Sequence, residues 1–458
     1  MILDPVAQEF NVDSTWVRFT TCSLFLGLCL GASLWGLAAD IIGRRIVFNT
    51  TLFLCGVFGV ALGGAPTWIG LCGLSASLGL GVGGNLPVDG VLFLEYIPAA
   101  SASLLALLSA WWPFGQLVGS LVGWAFLVNY SCDTKAPACS AVRTSPGETA
   151  TNCCSKANNM GWRYFMYTMG ALTLFLWILR FFFFRLYESP KFLLSRGRQE
   201  EAVASVQGIA YANQTRTWLT VEVLNEVGGY YPDPNSSGQF QQGLPVGEIV
   251  RRNLSKFSLQ RIGPLFHTKR LGFSTTLIWF CWATIGLGYP LFNAFLPQYI
   301  SQSTSSPDIT YRNYAITSAV GVTGSIFACL TVDIPYIGRK GSMAFSTVVT
   351  GVLLFCFTVN GDPDVQLACS SLEALFQNWM YGCLYMFTPE LFPAPVRGSG
   401  TGIGSFFNRV GGLCAPLVAI YASDGDPKAP IYASGSLMLA AWLAMMLLPI
   451  ETKGRQNL

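Results

Sequence analysis

Eleven stretches of about 20 mostly apolar residues, each long enough to cross a bilayer as a helix, run through this chain of 458 residues. They fall at 18–39, 46–64, 69–93, 104–128, 162–184, 271–295, 313–333, 342–359, 365–388, 399–421 and 431–449. A soluble helix keeps a polar face toward water, and these runs have none. Only 11% of residues are charged, against roughly a quarter in soluble proteins. Lipid must therefore be the solvent. In hydrocarbon every backbone N–H and C=O needs a partner inside its own segment, so the fold class is all-α: a polytopic membrane protein with eleven spans present.

The remaining composition excludes much else. A net charge of +3 carries no footprint of nucleic-acid binding. No glycine-rich phosphate motif, metal-ligand cluster or nucleophile–base pair is present, so no enzyme, metal or cofactor is expected. The single His267 lies in a polar stretch and reads as a solvated loop residue. Glycine recurs at spacing four, at Gly27/Gly31 and Gly115/Gly119/Gly123, which predicts close helix packing.

Lys and Arg orient the chain. With the end of segment 18–39 in the cytoplasm, the inner loops hold eighteen and the outer side seven, as the positive-inside rule requires. The outer loop 129–161 then holds Cys132, Cys139, Cys153 and Cys154. Cysteines in a polar stretch on an oxidising face predict disulfides. Four allow three pairings, of which the one joining the adjacent Cys153 and Cys154 is disfavoured. The sequon at Asn129 lies on the same side; those at Asn213, Asn235 and Asn253 fall inside and are expected to stay unmodified.

The chain repeats itself. Gly43-Arg44-Arg45 and Gly338-Arg339-Lys340 lie 295 residues apart, as do Glu95 and Glu390, and Pro98 and Pro393. Parallel duplicated halves are a known transporter design. Under this offset segment 271–295 would match positions before residue 1, where only MILDPVAQEF stands. The expectation is a twelve-helix plan with helix 1 apparently missing from the printed chain, through a start codon placed too late or a shorter isoform.

The motifs then carry a family resemblance. GLAADIIGRR (36–45) resembles the loop signature of the major facilitator superfamily. YESPKFLLSRGR (187–198) and IETKG (450–454) are similar to the blocks that follow the sixth and twelfth helices in its sugar-porter-like branch. GVGGNLPVDGVLFLEYIP (81–98) most resembles the synaptic-vesicle-glycoprotein-related transporters and their fungal relatives, and more distantly phosphate:proton symporters.

The resemblance implies a major facilitator fold of two six-helix halves that rock around a central site. Residues 1–185 would form the first half, 186–270 the cytoplasmic central loop and 271–458 the second. A cytoplasmic gate follows. Asp40 would hold Arg44 or Arg45, Asp333 would hold Arg339 or Lys340, and Glu390 with Arg397 would clasp the opposite half; Glu95 and Glu188 belong to the same set. Exposed ion pairs contribute only about 0–1 kcal/mol each, which suits a latch that must open. In the first half the arginine position is Ala102 and the glycine position Ser103, so the latch is asymmetric. Within the central loop, RQEEAVASVQGIAYAN predicts a short amphipathic helix.

Charges inside the membrane cost at least about 2.5–3.5 kcal/mol and point to function. Glu373 lies 17 residues before Glu390, and Arg409 lies 12 after Arg397, depths of about 25 and 18 Å. They are read as facing the cavity and forming or approaching an ion pair, with Asn408, Gln377, Asn378 and Asn85 adding hydrogen bonds; the alternative is a structural polar clamp. Asp89, six residues before Glu95, serves equally well as latch or proton site. Trp111, Trp112, Trp279 and Trp379 either pack or stack on a substrate, while Trp16, Trp68 and Trp162 read as interfacial anchors. Arg180 is expected to snorkel to the inner interface.

The function expected is secondary transport of a small polar organic solute, coupled to protons, by a monomer in the plasma membrane or a vacuolar or endosomal membrane. Its partners would be the solute, protons and lipid, with no cofactor. Alternatives are a facilitator, a phosphate-type symporter (which would carry an acid where Asn85 stands) or a non-transporting sensor or vesicle component. The orientation is tested by glycan mapping. Endoglycosidase should shorten the mature protein, and Asn129→Gln should abolish that shift; a glycan at Asn213 would invert the topology.

Overall fold

The computed structural model describes residues 1–96, 107–132, 136–137, 139, 153–183, 187–195, 198–227, 262–303, 306–332, 334, 337–359, 361–392, 397–422 and 426–452. Among them every apolar run is a long helix: α2 (Phe19–Ile42), α3 (Arg44–Gly63), α4 (Trp68–Tyr96), α5 (Trp111–Asn129), α6 (Gly161–Phe183), α10 (Lys269–Asn293), α12 (Pro307–Thr331), α13 (Gly338–Val359), α14 (Pro363–Leu391), α15 (Arg397–Ala422) and α16 (Ala429–Met446). Shorter helices are α1 (Leu3–Phe10), α7 (Pro190–Ser195), α8 (Gln199–Ala212), α9 (Val221–Val227) and α11 (Leu296–Ser303). The amphipathic stretch of the central loop forms α8.

Local chemistry sets several starts. Thr268 caps α10 by accepting from the Leu271 N–H at 3.2 Å. Asp362 does the same for α14 through Asp364 at 3.1 Å, with Pro363 in the first turn, where its missing N–H costs nothing. Nine of the described helices are long and apolar enough to cross a membrane. α14, which carries the polar Gln366, Glu373 and Gln377, is not among them.

The duplication is visible in the packing. α2 packs on α4, α3 on α4 and α3 on α6; in the second half the matching pairs are α12 on α14, α13 on α14 and α13 on α16, with α2, α3 and α4 related to α12, α13 and α14 by the 295-residue offset. The halves meet through α2 against α15 and α5 against α12, two pairings that the offset also interchanges. Residues 3–10 shift onto 298–305, and α1 is linked to α11, where Gln298 donates to Asp4 at 2.9 Å.

Glycine spacing has two outcomes. A Cβ on Gly27 or Gly31 would stand 2.0 Å from Ala76 O or 2.2 Å from Leu80 O, so α2 and α4 touch backbone to backbone. Gly115 has nothing within 4 Å and Gly119 only a methionine tip at 3.8 Å; spacing alone overstated the packing there. Trp162 also departs from expectation. It is fully buried, donates to Glu9 at 2.8 Å and lies beneath the Arg163 guanidinium. The reason is α1, whose Glu9 pairs with Arg163 at 2.6 Å. Arg180 stacks on Phe48 at 4.1 Å. In the outer loop Cys132 bonds to Cys154 and Cys139 to Cys153. The stretch YYPDPNSSGQFQQG and the sequons at Asn235 and Asn253 lie outside the described residues.

Gly31→Val should separate α2 from α4 and lower stability by about 1–3 kcal/mol or more, read as a fall in Tm in detergent. Gly36→Ala, where no atom lies within 4 Å, should leave Tm unchanged or slightly raised.

Candidate functional site

A cavity of about 210 Å³ lies between the halves. α2 contributes Phe25 and Leu28, and α5 contributes Trp112 and Gln116. From the other half come Tyr289 on α10, Ser325 on α12, Asn378, Tyr381 and Tyr385 on α14, and Asn408 and Arg409 on α15. The aromatic walls interlock: Trp112 meets Tyr385 edge-on at 5.4 Å, and Tyr289 meets Tyr381 at 5.4 Å. Arg409 is the cation of this lining. Its Nε is buried without a hydrogen-bond partner, and among the described residues no carboxylate pairs with it.

Glu373 is not in that lining. It is 1% exposed and 5 residues before Asn378, about 7.5 Å farther along α14 toward the disulfide end. Asn293 of α10 donates to Glu373 Oε1 at 3.3 Å and to Gln377 at 2.7 Å. Among the described residues Glu373 Oε2 has no hydrogen-bond partner. The expected ion pair with Arg409 is thus corrected: Glu373 turns toward Asn293 on α10 while Arg409 turns into the cavity.

The other polar residues separate. Asn378 and Asn408 line the cavity, with Asn378 donating to Ala374 O at 2.8 Å. Asn85 lies outside it, accepting from Thr51 at 2.5 Å between α4 and α3. Of the four inner tryptophans only Trp112 lines the cavity. Trp111 is 67% exposed, Trp279 donates to Gly400 O, and Trp379 packs among Phe327, Phe345 and Phe376. Sequence reading missed Asn293, Gln116 and the three tyrosines. Tyr381 and Tyr385 could have been found, since they continue the Gln377 face at spacing four.

At the Gly-Arg end each half holds an acid from its last segment against a helix start. Glu188 Oε1 accepts from the Arg44 and Arg45 N–H groups at 3.1 and 3.4 Å. Glu451 accepts from Arg339 and Lys340 at 3.2 and 3.1 Å. Gly43 (φ 106°) and Gly338 (φ 64°) make both turns left-handed, and a Cβ on either would strike the acid, at 2.7 and 2.9 Å. The Arg339 side chain pairs with Glu390 of its own half, where α13 and α14 pack side by side. Asp40, Asp89, Glu95 and Arg397 stand on α2, α4, α4 and α15 with side chains outside the described structure, and Asp333 lies outside it altogether.

Among the described residues, hydrogen bonds between the halves run from the cavity to the disulfide end. Buried Arg18 donates to Gln298 at 3.2 Å and to Ala419 O at 2.7 Å, Trp124 donates to Asp308 at 2.8 Å, and Gln116 donates to Tyr314 at 3.2 Å. Asn129, the last residue of α5, is exposed.

A sequence profile of the Major Facilitator Superfamily matches residues 1–334 and 278–458. A protein named MFS siderochrome iron transporter 1, from Ceriporiopsis subvermispora, is 41% identical over 100% of this chain and 84% of its own. The synaptic vesicle 2-related protein of Rattus norvegicus is 23% identical over 98% of this chain and 73% of its own. Among solved structures, the proton:xylose symporter XylE superposes with a TM-score of 0.69 at 18% identity, covering 100% of this chain and 92% of that one.

The Asn293 bridge has a measurable consequence. Asn293→Leu removes the donor shared by Glu373 and Gln377 and should cost about 1–3 kcal/mol, seen as a lower Tm. Asn293→Asp should restore little, because it sets a second carboxyl against Glu373.

Proposed function

The chain belongs to the major facilitator superfamily, and on that premise we propose that it carries a small planar organic anion together with a proton, by alternating access. It is a multi-pass membrane transporter, not an enzyme. In the proposal residues 1–185 and 271–458 are the rocking halves, joined by 186–270, and one chain is the working unit. The observation that carries the reading is the unpaired Arg409 cation in an aromatic cavity to which both halves contribute. A carboxylate entering the cavity supplies the partner that Arg409 lacks, and a hydrogen bond to a charged group contributes about 1.5–3 kcal/mol. Trp112, Tyr289, Tyr381 and Tyr385 offer ring faces and edges to a planar body. Asn378, Asn408 and Gln116 add polar specificity.

Glu373 is the proton carrier in this reading. A buried carboxylate hydrogen-bonded by a neutral amide is costly to keep as an anion, and a proton is its cheapest counter-charge. The cross-half hydrogen bonds of Arg18, Gln116 and Trp124 support a conformation closed at the disulfide end. The Gly-Arg motifs, with Asp40, Glu95, Asp333, Glu390 and Arg397, act as the gate at the other end, which must close as the first opens. A shift from 1:99 to 99:1 between two states needs about 5.5 kcal/mol, within reach of several weak pairs acting together.

The test is uptake of radiolabelled benzoate into proteoliposomes under an imposed pH gradient, with tetraethylammonium and xylose as comparison solutes. Benzoate uptake should be saturable and driven by the gradient, and Arg409→Gln should raise KM about tenfold or more, the equivalent of about 1.4 kcal/mol. Glu373→Gln should abolish gradient-driven accumulation while leaving benzoate counterflow. Preference for tetraethylammonium, with Arg409→Gln silent, would overturn the anion reading.

A further inference from the structure

The second half holds a file of buried polar side chains that the solute cavity does not use. On α14, Gln366, Ser370, Glu373 and Gln377 follow at spacings of four, three and four, which places them on one face. All are 9% exposed or less. The file begins just below Asp362 and Asp364, which are exposed in the first turn at the disulfide end. On the facing helix α12, Thr310, Asn313 and Thr317 are likewise buried.

The two helices run side by side in a fixed register. The Thr317 hydroxyl lies 3.2 Å from that of Ser370 and 3.4 Å from that of Ser371, an offset of 53 residues for the first pair. The same offset sets Asn313 level with Gln366 and Gly321 level with Ala374; a Cβ on Gly321 would indeed lie 3.5 Å from the Ala374 Cβ. Going inward, the levels are Asn313 with Gln366, Thr317 with Ser370 and Ser371, and Glu373 with Asn293 and Gln377. The last level adjoins the cavity at Asn378.

Among the described residues, two oxygens along this file are buried without a hydrogen-bond partner: Asn313 Oδ1 and Glu373 Oε2. An orphaned acceptor inside a membrane protein is costly, and bound water is its usual remedy. The tyrosines facing Glu373 are Tyr289 of α10 and Tyr381 of its own helix, with Tyr314 of α12 beside Tyr289. No ion pair joins a Lys or Arg to Glu373 among the described residues.

We propose that this file is a proton path, leading from the disulfide end to Glu373 through the interior of the second half and separate from the solute route between the halves. The proposal rests on Glu373 being the proton carrier. Ser and Thr hydroxyls both accept and donate, so the Thr317/Ser370 level can take a proton from the outer side and release another inward. The Asn and Gln amides hold the intervening waters. The final transfer forms an O–H bond on Glu373 Oε2 and breaks one in the water beside it. Overall, one hydrated proton leaves solution and one carboxylate becomes a carboxylic acid.

The experiment uses the full chain in lipid nanodiscs and needs no solute. Infrared difference spectroscopy identifies the Glu373 carboxyl band as the one missing from Glu373→Gln, and transfer to deuterium oxide gives its exchange rate. Thr317→Val combined with Ser370→Ala should slow that exchange roughly three- to tenfold, the kinetic equivalent of one lost hydrogen bond. Thr317→Ser, which keeps a hydroxyl and guards against misfolding, should leave the rate near wild type. Ser405→Ala, on α15 in the cavity lining, should also leave it unchanged.

An unchanged rate in the double variant would reduce the file to helix–helix hydrogen bonding and overturn the path while Glu373 kept its role. A slower rate in Ser405→Ala alone would bring the proton through the solute cavity, and would overturn it too. If gradient-driven benzoate uptake survives Glu373→Gln, the carrier reading itself fails, whatever the exchange rates.

Discussion

Hydrocarbon solvates a leucine as well as another helix does, so apolar burial alone cannot draw these helices together. Leu26, Leu30 and Leu34 on α2 are accordingly about half exposed to the surroundings and do not drive assembly. Close backbone approach and satisfied polar groups hold the bundle. Gly27 and Gly31 bring α2 onto α4, Gly324 brings α12 within reach of Leu375 O, and Gly286 brings α10 against Asn408. Each contact leaves no room for a side chain, which is why the pairing of helices is specific although their surfaces are chemically alike.

Once the backbones are that close, the few polar side chains have nowhere to hide and must find one another. The structure sorts them by depth. At the Gly-Arg end, acids hold half-buried helix starts near the membrane surface. Midway, Arg409 stands in a cavity with aromatic walls. Deeper in the second half, the polar residues of α12 and α14 are buried and bond among themselves. A group's readiness to change partner thus falls from the gate to the interior, in keeping with the proposed roles of latch, solute contact and proton station.

Much of this was legible in one dimension. The eleven long helices needed only the length of apolar runs, and the duplication needed only the repeated Gly-Arg motif with Glu95 and Glu390 at one offset. Partners were harder to read. Glu373 and Arg409 are both rare intramembrane charges, and pairing them was the simplest guess; the actual neighbour, Asn293, lies 80 residues from Glu373 on a helix whose rotation no local pattern reveals. Gly115 and Gly119 keep the spacing of packing glycines, yet neither meets a neighbouring backbone, because spacing gives a face and not what lies opposite. Trp162 looked interfacial until α1 covered it. The cysteine pairing was likewise open among alternatives until the loop was folded.

The two carboxylate clasps at the Gly-Arg end reach far along the chain. Glu188 arrives 144 residues after Arg44, and Glu451 arrives 112 after Arg339. During synthesis each left-handed glycine and its following helix therefore emerge from the ribosome with bare N–H groups, and remain so until the closing segment of the same half is made. A half interrupted before that segment presents an open anion-binding notch at the membrane surface. The contact that orients the loop in the finished protein thus forms only once the closing segment of its half has been made.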